Sequence, residues 1–199
     1  LNEILDFYGD NIQSQTWQLE KAIQIALKIR KMNENLNHEK KSQLLLILKR
    51  ILEIKNIDPN CHSGEFTLLS YACETNEISI VQMLLKTEKV DVNAYAPLNG
   101  NTPLMISILK KNVEITELLI NDKRTDINAV NYENETALII AVKNNLGEIV
   151  DLLIKNERFD PEQSRINYAL FISNAEISKI LLFNDFIDIN YQYSTIDSN

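Results

Sequence analysis

Glycine and proline are scarce, with 4 of each in 199 residues. A β sandwich or barrel needs far more turn residues than that, so a turn-rich all-β fold is disfavoured. Cysteine and histidine are scarcer still, at 2 each. Cys61 and Cys73 lie 12 apart, with His62 beside the first and His38 far from both. A metal site wants about four ligands at recognisable spacing, which this set does not supply, so no metal or other cofactor is expected. So few cysteines suit a reducing compartment, and an intracellular, cytoplasmic setting is expected. Long apolar runs are also missing. Leu44 to Leu48 spans five residues and Ala137 to Val142 six, well short of the roughly 18 residues of a membrane span, so no membrane partner is expected. The chain opens on Leu1, which reads as a fragment or processed form, so a missing leader says little.

What is present is a large apolar fraction, 45% of residues, enough to build a continuous core. The net charge of −8 is unevenly placed. Residues 1–55 carry 9 Lys and Arg against 7 Asp and Glu, net +2; residues 56–199 carry the remaining 11 against 21, net −10. A body that acidic repels phosphate backbones, so nucleic acid is set aside. It favours basic partners mainly through association rate, and it also keeps a monomer soluble.

Three segments repeat: residues 67–85, 102–120 and 136–154, whose opening threonines Thr67, Thr102 and Thr136 are spaced 35 and then 34. Each is followed by a closing phrase, Asp91-Val-Asn93, Asp126-Ile-Asn128 and Asp160-Pro-Glu162. A fourth copy fits if Ser164 takes the threonine position, at a spacing of only 28, so its connection is about six residues short; it closes on Asp188-Ile-Asn190. Each copy reads as two short helices. Thr67, Thr102, Thr136 and Ser164 are placed to cap the inner one, Pro103 suits a first helical position, and Ala72, Ser107, Ala141 and Ala169 allow close approach. The outer one carries apolar residues at i, i+3 and i+4: Ile80, Met83, Leu84; Ile115, Leu118, Leu119; Ile149, Leu152, Leu153. Neither helix is long enough to stand alone in water, so the copies must stack into an all-α solenoid of helix-turn-helix units.

This pattern resembles the ankyrin repeat, whose signature is a T-P-L-H-x-A phrase on a period near 33. Thr102-Pro103-Leu104, Glu114-Ile115, Leu118-Leu119 and Asp126-Ile127-Asn128 match it closely, and the resemblance covers roughly residues 56–190. The resemblance implies short finger loops between copies. Departures are consistent from copy to copy. The signature His is replaced by Ser70, Met105, Ile139 and Asn167; Asn134 stands where Gly100 turns the preceding finger; and the turn after each outer helix is one residue longer, as in Asn121-Asp122-Lys123-Arg124-Thr125-Asp126. The array is expected over 56–193, with a tail at 194–199 and an N-terminal helical hairpin over 1–55, from helices at 14–33 and 38–54, that caps its apolar end or else is the remnant of a larger helical domain.

No Ser-His-Asp or Cys-His set can be assembled, so no enzyme is expected. Cys61 and Cys73 read as small core residues. Asn134-Glu135-Thr136 is formally a glycosylation acceptor whose defining residues the repeat already explains, and the loop around Gly100 lacks the extra glycines and lysine of a phosphate loop. What remains is surface. The resemblance implies a partner protein on the concave face, built from finger tips and variable inner-helix positions. Carried over by alignment, the candidate contact residues are Phe66, Glu74, Tyr95, Leu98, Leu109, Tyr132, Glu135, Lys143 and Phe171. The apolar ones stand where a soluble array is normally polar, as binding anchors or as filler between loops. The partner would present a basic or apolar segment. The alternative is a structural spacer or capping segment of a larger multidomain protein whose activity lies elsewhere.

Overall fold

A computed structural model describes residues 45, 46, 48–50, 52, 58–60 and 66–183. The helices expected at 14–33 and 38–54 lie largely outside them, as do Cys61, His62, the Asp188-Ile-Asn190 phrase and the tail. Residues 45, 46, 48–50 and 52 are helical, with Leu48 and Leu52 in the core. Eight helices then follow in chain order: α1 Leu68–Glu74, α2 Ile78–Leu85, α3 Pro103–Leu109, α4 Val113–Asn121, α5 Ala137–Lys143, α6 Gly147–Ile154, α7 Ile166–Ile172 and α8 Ala175–Leu182. No strand occurs among the described residues; Val130 and Thr136 form an isolated antiparallel bridge at the base of a finger.

The contacts define two layers. The inner helices pack in the order α1, α3, α5, α7 and the outer helices in the order α2, α4, α6, α8, while each inner helix also packs on its own outer partner. Each helix is at most nine residues long, too short to be stable alone, so burial between layers holds it. The close-approach positions Ala72, Ser107, Ala141 and Ala169 are all fully buried. On the outer helices the i and i+4 residues Ile80, Leu84, Ile115, Leu119, Ile149 and Leu153 are buried, whereas Met83, Leu118 and Leu152 sit at the edge of the core.

Three of the four expected caps form as read. Thr67, Thr102 and Thr136 each accept, through Oγ1, the N–H three residues on, from Ser70, Met105 and Ile139. The fourth does not. Ser164 donates its hydroxyl to Asn128 Oδ1 at 2.6 Å, and α7 starts one residue later from Arg165, a left-handed residue with φ 56° and no side-chain cap. The cause is the short connection, which draws Ser164 down against the preceding copy: its carbonyl accepts from Thr136 Oγ1 at 3.1 Å.

The closing phrases explain themselves in three dimensions. In each, the Asp carboxylate accepts the N–H two residues on: Asn60 from Asp58, Asn93 from Asp91, Asn128 from Asp126 and Glu162 from Asp160, at 2.9–3.0 Å. Each Asn then bridges to the next copy. Asn60 accepts from Asp91 N and donates to Lys89 O; Asn93 does the same with Asp126 N and Arg124 O; Asn128 does so with Asp160 N and Arg158 O. The carboxylates of these phrases are therefore structural.

The lengthened turn has a purpose that the sequence alone did not reveal. Arg124 reaches back to the C-terminus of α2, donating to Leu85, Thr87, Glu88 and Val90 carbonyls while pairing with Asp122. Arg158 repeats this on α4, donating to Ile120, Asp122 and Thr125 carbonyls. A guanidinium supplies several donors to carbonyls that a helix end leaves unsatisfied, and its charge suits the negative end of the helix dipole. The hydrogen bond from Arg124 is the main cause that holds the Asp122 carboxyl below the usual carboxylate range, and Asp122 in turn raises Arg124.

Candidate functional site

Two fingers stand clear of the helices, residues 94–101 before α3 and residues 129–135 before α5. In the first, Gly100 takes φ 71° and donates its N–H to Ala96 O at 2.8 Å. In the second, Asn134 takes φ 59° at the matching position, as its short polar side chain allows. The fingers are tied side by side. Tyr132 N donates to Asn99 O at 3.0 Å, and Asn131 Nδ2 donates to Asn101 Oδ1 at 2.8 Å. These bonds, with the asparagine bridges, do the work that the signature His would do elsewhere; Met105 and Ile139, in its place, are buried apolar packing.

Tyr132 lays its ring over Gly100, where a Cβ would sit 2.5 Å from Tyr132 Cδ1. Gly100 is thus needed for two reasons, its left-handed backbone and the ring above it. Asn134 can carry a side chain because the short fourth connection sends no finger over it. Tyr132 remains 68% exposed on its outer side, so it is both finger packing and open surface.

The other candidates separate into two groups. The charged ones are engaged within the array. Glu74 pairs with Lys110 at the C-terminal cap of α3, and Glu135 pairs with Lys143 on α5. That bond to Glu135 is the main reason the Lys143 ammonium is pushed above the usual lysine range, with Tyr168 and Glu133 adding to it. Phe66 is half-buried, edge-to-face on Tyr71 with ring centroids 6.4 Å apart. By contrast Leu98 is 69% exposed on the first finger, with Tyr95 exposed beside it. Leu109 on α3 and Phe171 on α7 are 43% and 67% exposed.

Glu74, Leu109, Lys143 and Phe171 occupy one register position on the four inner helices, the last residue of α1, α3 and α5 and the penultimate residue of α7. They form a row in which the acid and the base are ion-paired and Leu109 and Phe171 are exposed to solvent. Tyr168, outside the sequence-derived set, is exposed on α7 where the equivalent Ile106 and Ile140 are buried, and Arg165 lies 5.0 Å over its ring. The shift of 28 that aligns the fourth copy already put an aromatic at that position. Cys73 is fully buried in α1, and burial together with Glu74 pushes its thiol far above the ordinary range, which makes it an inert core residue.

A family model for ankyrin repeats in three copies matches residues 37–131. A putative ankyrin repeat protein of fowlpox virus is 30% identical over 155 residues, covering 73% of this chain. This chain is an ankyrin-repeat protein. The ankyrin layers continue past the matched span, since α5 to α8 keep the same packing order through residue 182. Alpha-latroinsectotoxin-Lt1a of Latrodectus tredecimguttatus is also similar, at 29% identity over 103 residues, 52% of this chain. The chain spans 45% of the fowlpox protein's length and 7% of the toxin's. Ankyrin repeats generally mediate protein–protein interaction and are generally non-enzymatic. No described helix is long and apolar enough to cross a membrane.

Proposed function

We propose that this chain is a non-enzymatic scaffold that binds a partner protein on the concave face of the array, formed by the inner helices and the finger tips. The observation that carries this reading is the row on the inner helices. Leu109 and Phe171 expose apolar surface in one register, and Glu74 and Lys143 beside them are ion-paired to Lys110 and Glu135. Exposed aromatic and aliphatic side chains on a rigid face are typical anchors, whereas internally paired charges offer a partner little. Leu98, Tyr95 and the outer side of Tyr132 extend the surface onto the tips. Domain limits of 1–55 for a helical cap, 56–193 for the array and 194–199 for a tail remain part of this proposal.

The test is affinity capture with the wild type, with the double substitution Leu109→Ser/Phe171→Ser, and with Glu117→Ser on the exposed side of outer helix α4. Anchors of this kind lose about 2 kcal/mol or more each on truncation. The double variant should release the partner and the α4 variant should retain it. Retention by the double variant would refute the proposed face.

A further inference from the structure

We propose that the outer edge of the third-copy finger, residues 129–135, receives an extended, basic segment of a partner protein, which takes the place of the finger that the fourth copy lacks. This rests on reading the chain as a protein-binding scaffold, but it names a different surface from the inner-helix row.

The finger before α5 shows how one finger docks on its neighbour. It donates Tyr132 N to Asn99 O, joins Asn131 to Asn101, and lays Tyr132 on Gly100. A shift of 34 gives the matching positions on its own far side: Glu133 for Asn99, Asn134 for Gly100 and Glu135 for Asn101. A full fourth finger would fill them. The six-residue deficit removes it, and only part of the edge is satisfied from within. Arg165 Nη1 donates to Asn134 O at 2.6 Å, and Lys143 pairs with Glu135. No described residue donates to Glu133 O, the counterpart of the acceptor that Tyr132 N fills on the first finger. The Glu133 carboxylate forms no salt bridge among the described residues, and Val130 on the same finger is 40% exposed.

An extended peptide adds to an edge through main-chain groups left unpaired there, with main-chain bonds giving affinity and side chains selectivity, and Glu133 O is one such acceptor. The occupant is fixed by continuity with the existing finger row and by charge. It is extended, it gives a backbone N–H to Glu133 O, it brings a Lys or Arg to the Glu133 carboxylate, and it lays an aliphatic side chain against Val130. Lys143 and Arg165, the cations nearest this edge, are already engaged and do not compete for Glu133 through a direct pair.

The experiment selects displayed random 12-residue peptides on the whole chain and titrates a synthetic copy of the best binder. Three variants are compared: one with a copy of residues 129–134 inserted between Glu162 and Gln163, which restores the repeat spacing, Glu133→Arg, and Leu109→Ser/Phe171→Ser. The expected result is a basic peptide that moves the Glu133 carbonyl ¹³C resonance downfield. It should bind roughly tenfold or more weakly to Glu133→Arg and to the restored-finger variant, and normally to the inner-helix variant. A peptide lost only from the inner-helix variant would overturn this proposal and leave the concave-face reading standing. A peptide indifferent to all three variants would overturn both. Selection of no binder tighter than about 100 µM would overturn the edge proposal alone. Should the insertion variant fail to fold, Glu133→Arg and the carbonyl shift still decide.

Discussion

Removing the side chain of Asn128 tests how the copies are held in register. This residue, in the phrase that closes the second copy, makes three bonds to the connection between the third and fourth copies. Its Nδ2 donates to Arg158 O at 2.7 Å, and its Oδ1 accepts from Asp160 N at 2.9 Å and from Ser164 Oγ at 2.6 Å. Each neutral hydrogen bond contributes about 1 kcal/mol net, and groups left unpaired add to the loss when they stay buried. Asn128 is half-buried, so water recovers part of the deficit. Asn128→Ala should therefore cost about 2 kcal/mol. With a urea slope of about 2 kcal/mol per molar, the midpoint falls by about 1 M. Stability in a solenoid is a sum of copies and nearest-neighbour interfaces, so the loss should be local. Hydrogen exchange would show it: Asp160 N should lose protection while Asp91 N, bound to Asn60 in the first link, keeps its own. Asn121→Ala, at an exposed position at the end of α4, is the control and should stay within about 0.5 kcal/mol of wild type. If Asn128→Ala were equally silent, the asparagine bridges would not be what couples the copies.

Gly100→Ala should cost about 2 kcal/mol in the same urea assay, since φ 71° disfavours any side chain and the new Cβ would meet the Tyr132 ring. Adding Tyr132→Ser should relieve part of that penalty, and an equal penalty in both backgrounds would rule out the ring contact. Thr125 is 4% exposed, its hydroxyl has no partner among the described residues, and it stands at the position of the buried Val90 and Phe159, so Thr125→Val should stabilise by about 1 kcal/mol and raise the melting temperature; a drop would show that the hydroxyl is satisfied. Asp122 has its carboxyl pKa lowered on folding, chiefly by its bond to Arg124, so its contribution to stability is present above the unfolded carboxylate pKa and is lost as pH falls through the lower folded value. Acid unfolding curves of Asp122→Asn should consequently be flatter than wild type below about pH 4, and parallel curves would deny the pair a role.

The helices of the array were legible because their signals are local. A threonine three residues ahead of the N–H it accepts, and apolar residues at i and i+4, need no knowledge of distant chain. The same holds for Asp-x-Asn, where the turn bond spans two residues. What escaped is what acts over one whole copy. Arg124 and Leu85 O are 39 residues apart, and nothing in the longer turn marks its arginine as a clasp on the preceding helix. Ser164 matched the threonine column by chemistry, yet the shortened connection turned its hydroxyl to Asn128 and left α7 uncapped by a side chain. The candidate surface was legible as a set of positions but not in its energetics. Tyr132 proved to be partly finger packing and Glu74, Glu135 and Lys143 proved to be internally paired, which concentrates the open apolar surface on Leu98, Leu109 and Phe171.

The most direct measurement of the proposed function is site-specific photo-crosslinking. A benzophenone side chain is placed at position 109 on α3 in one preparation and at position 117 on α4 in another, and each is irradiated in extract of the source cells. Leu109 and Glu117 are both exposed, on the inner and outer layers respectively. Binding on the concave face predicts a discrete protein adduct from position 109, abolished by Phe171→Ser, and none from position 117. An adduct of equal yield from both positions, or from position 117 alone, would contradict it.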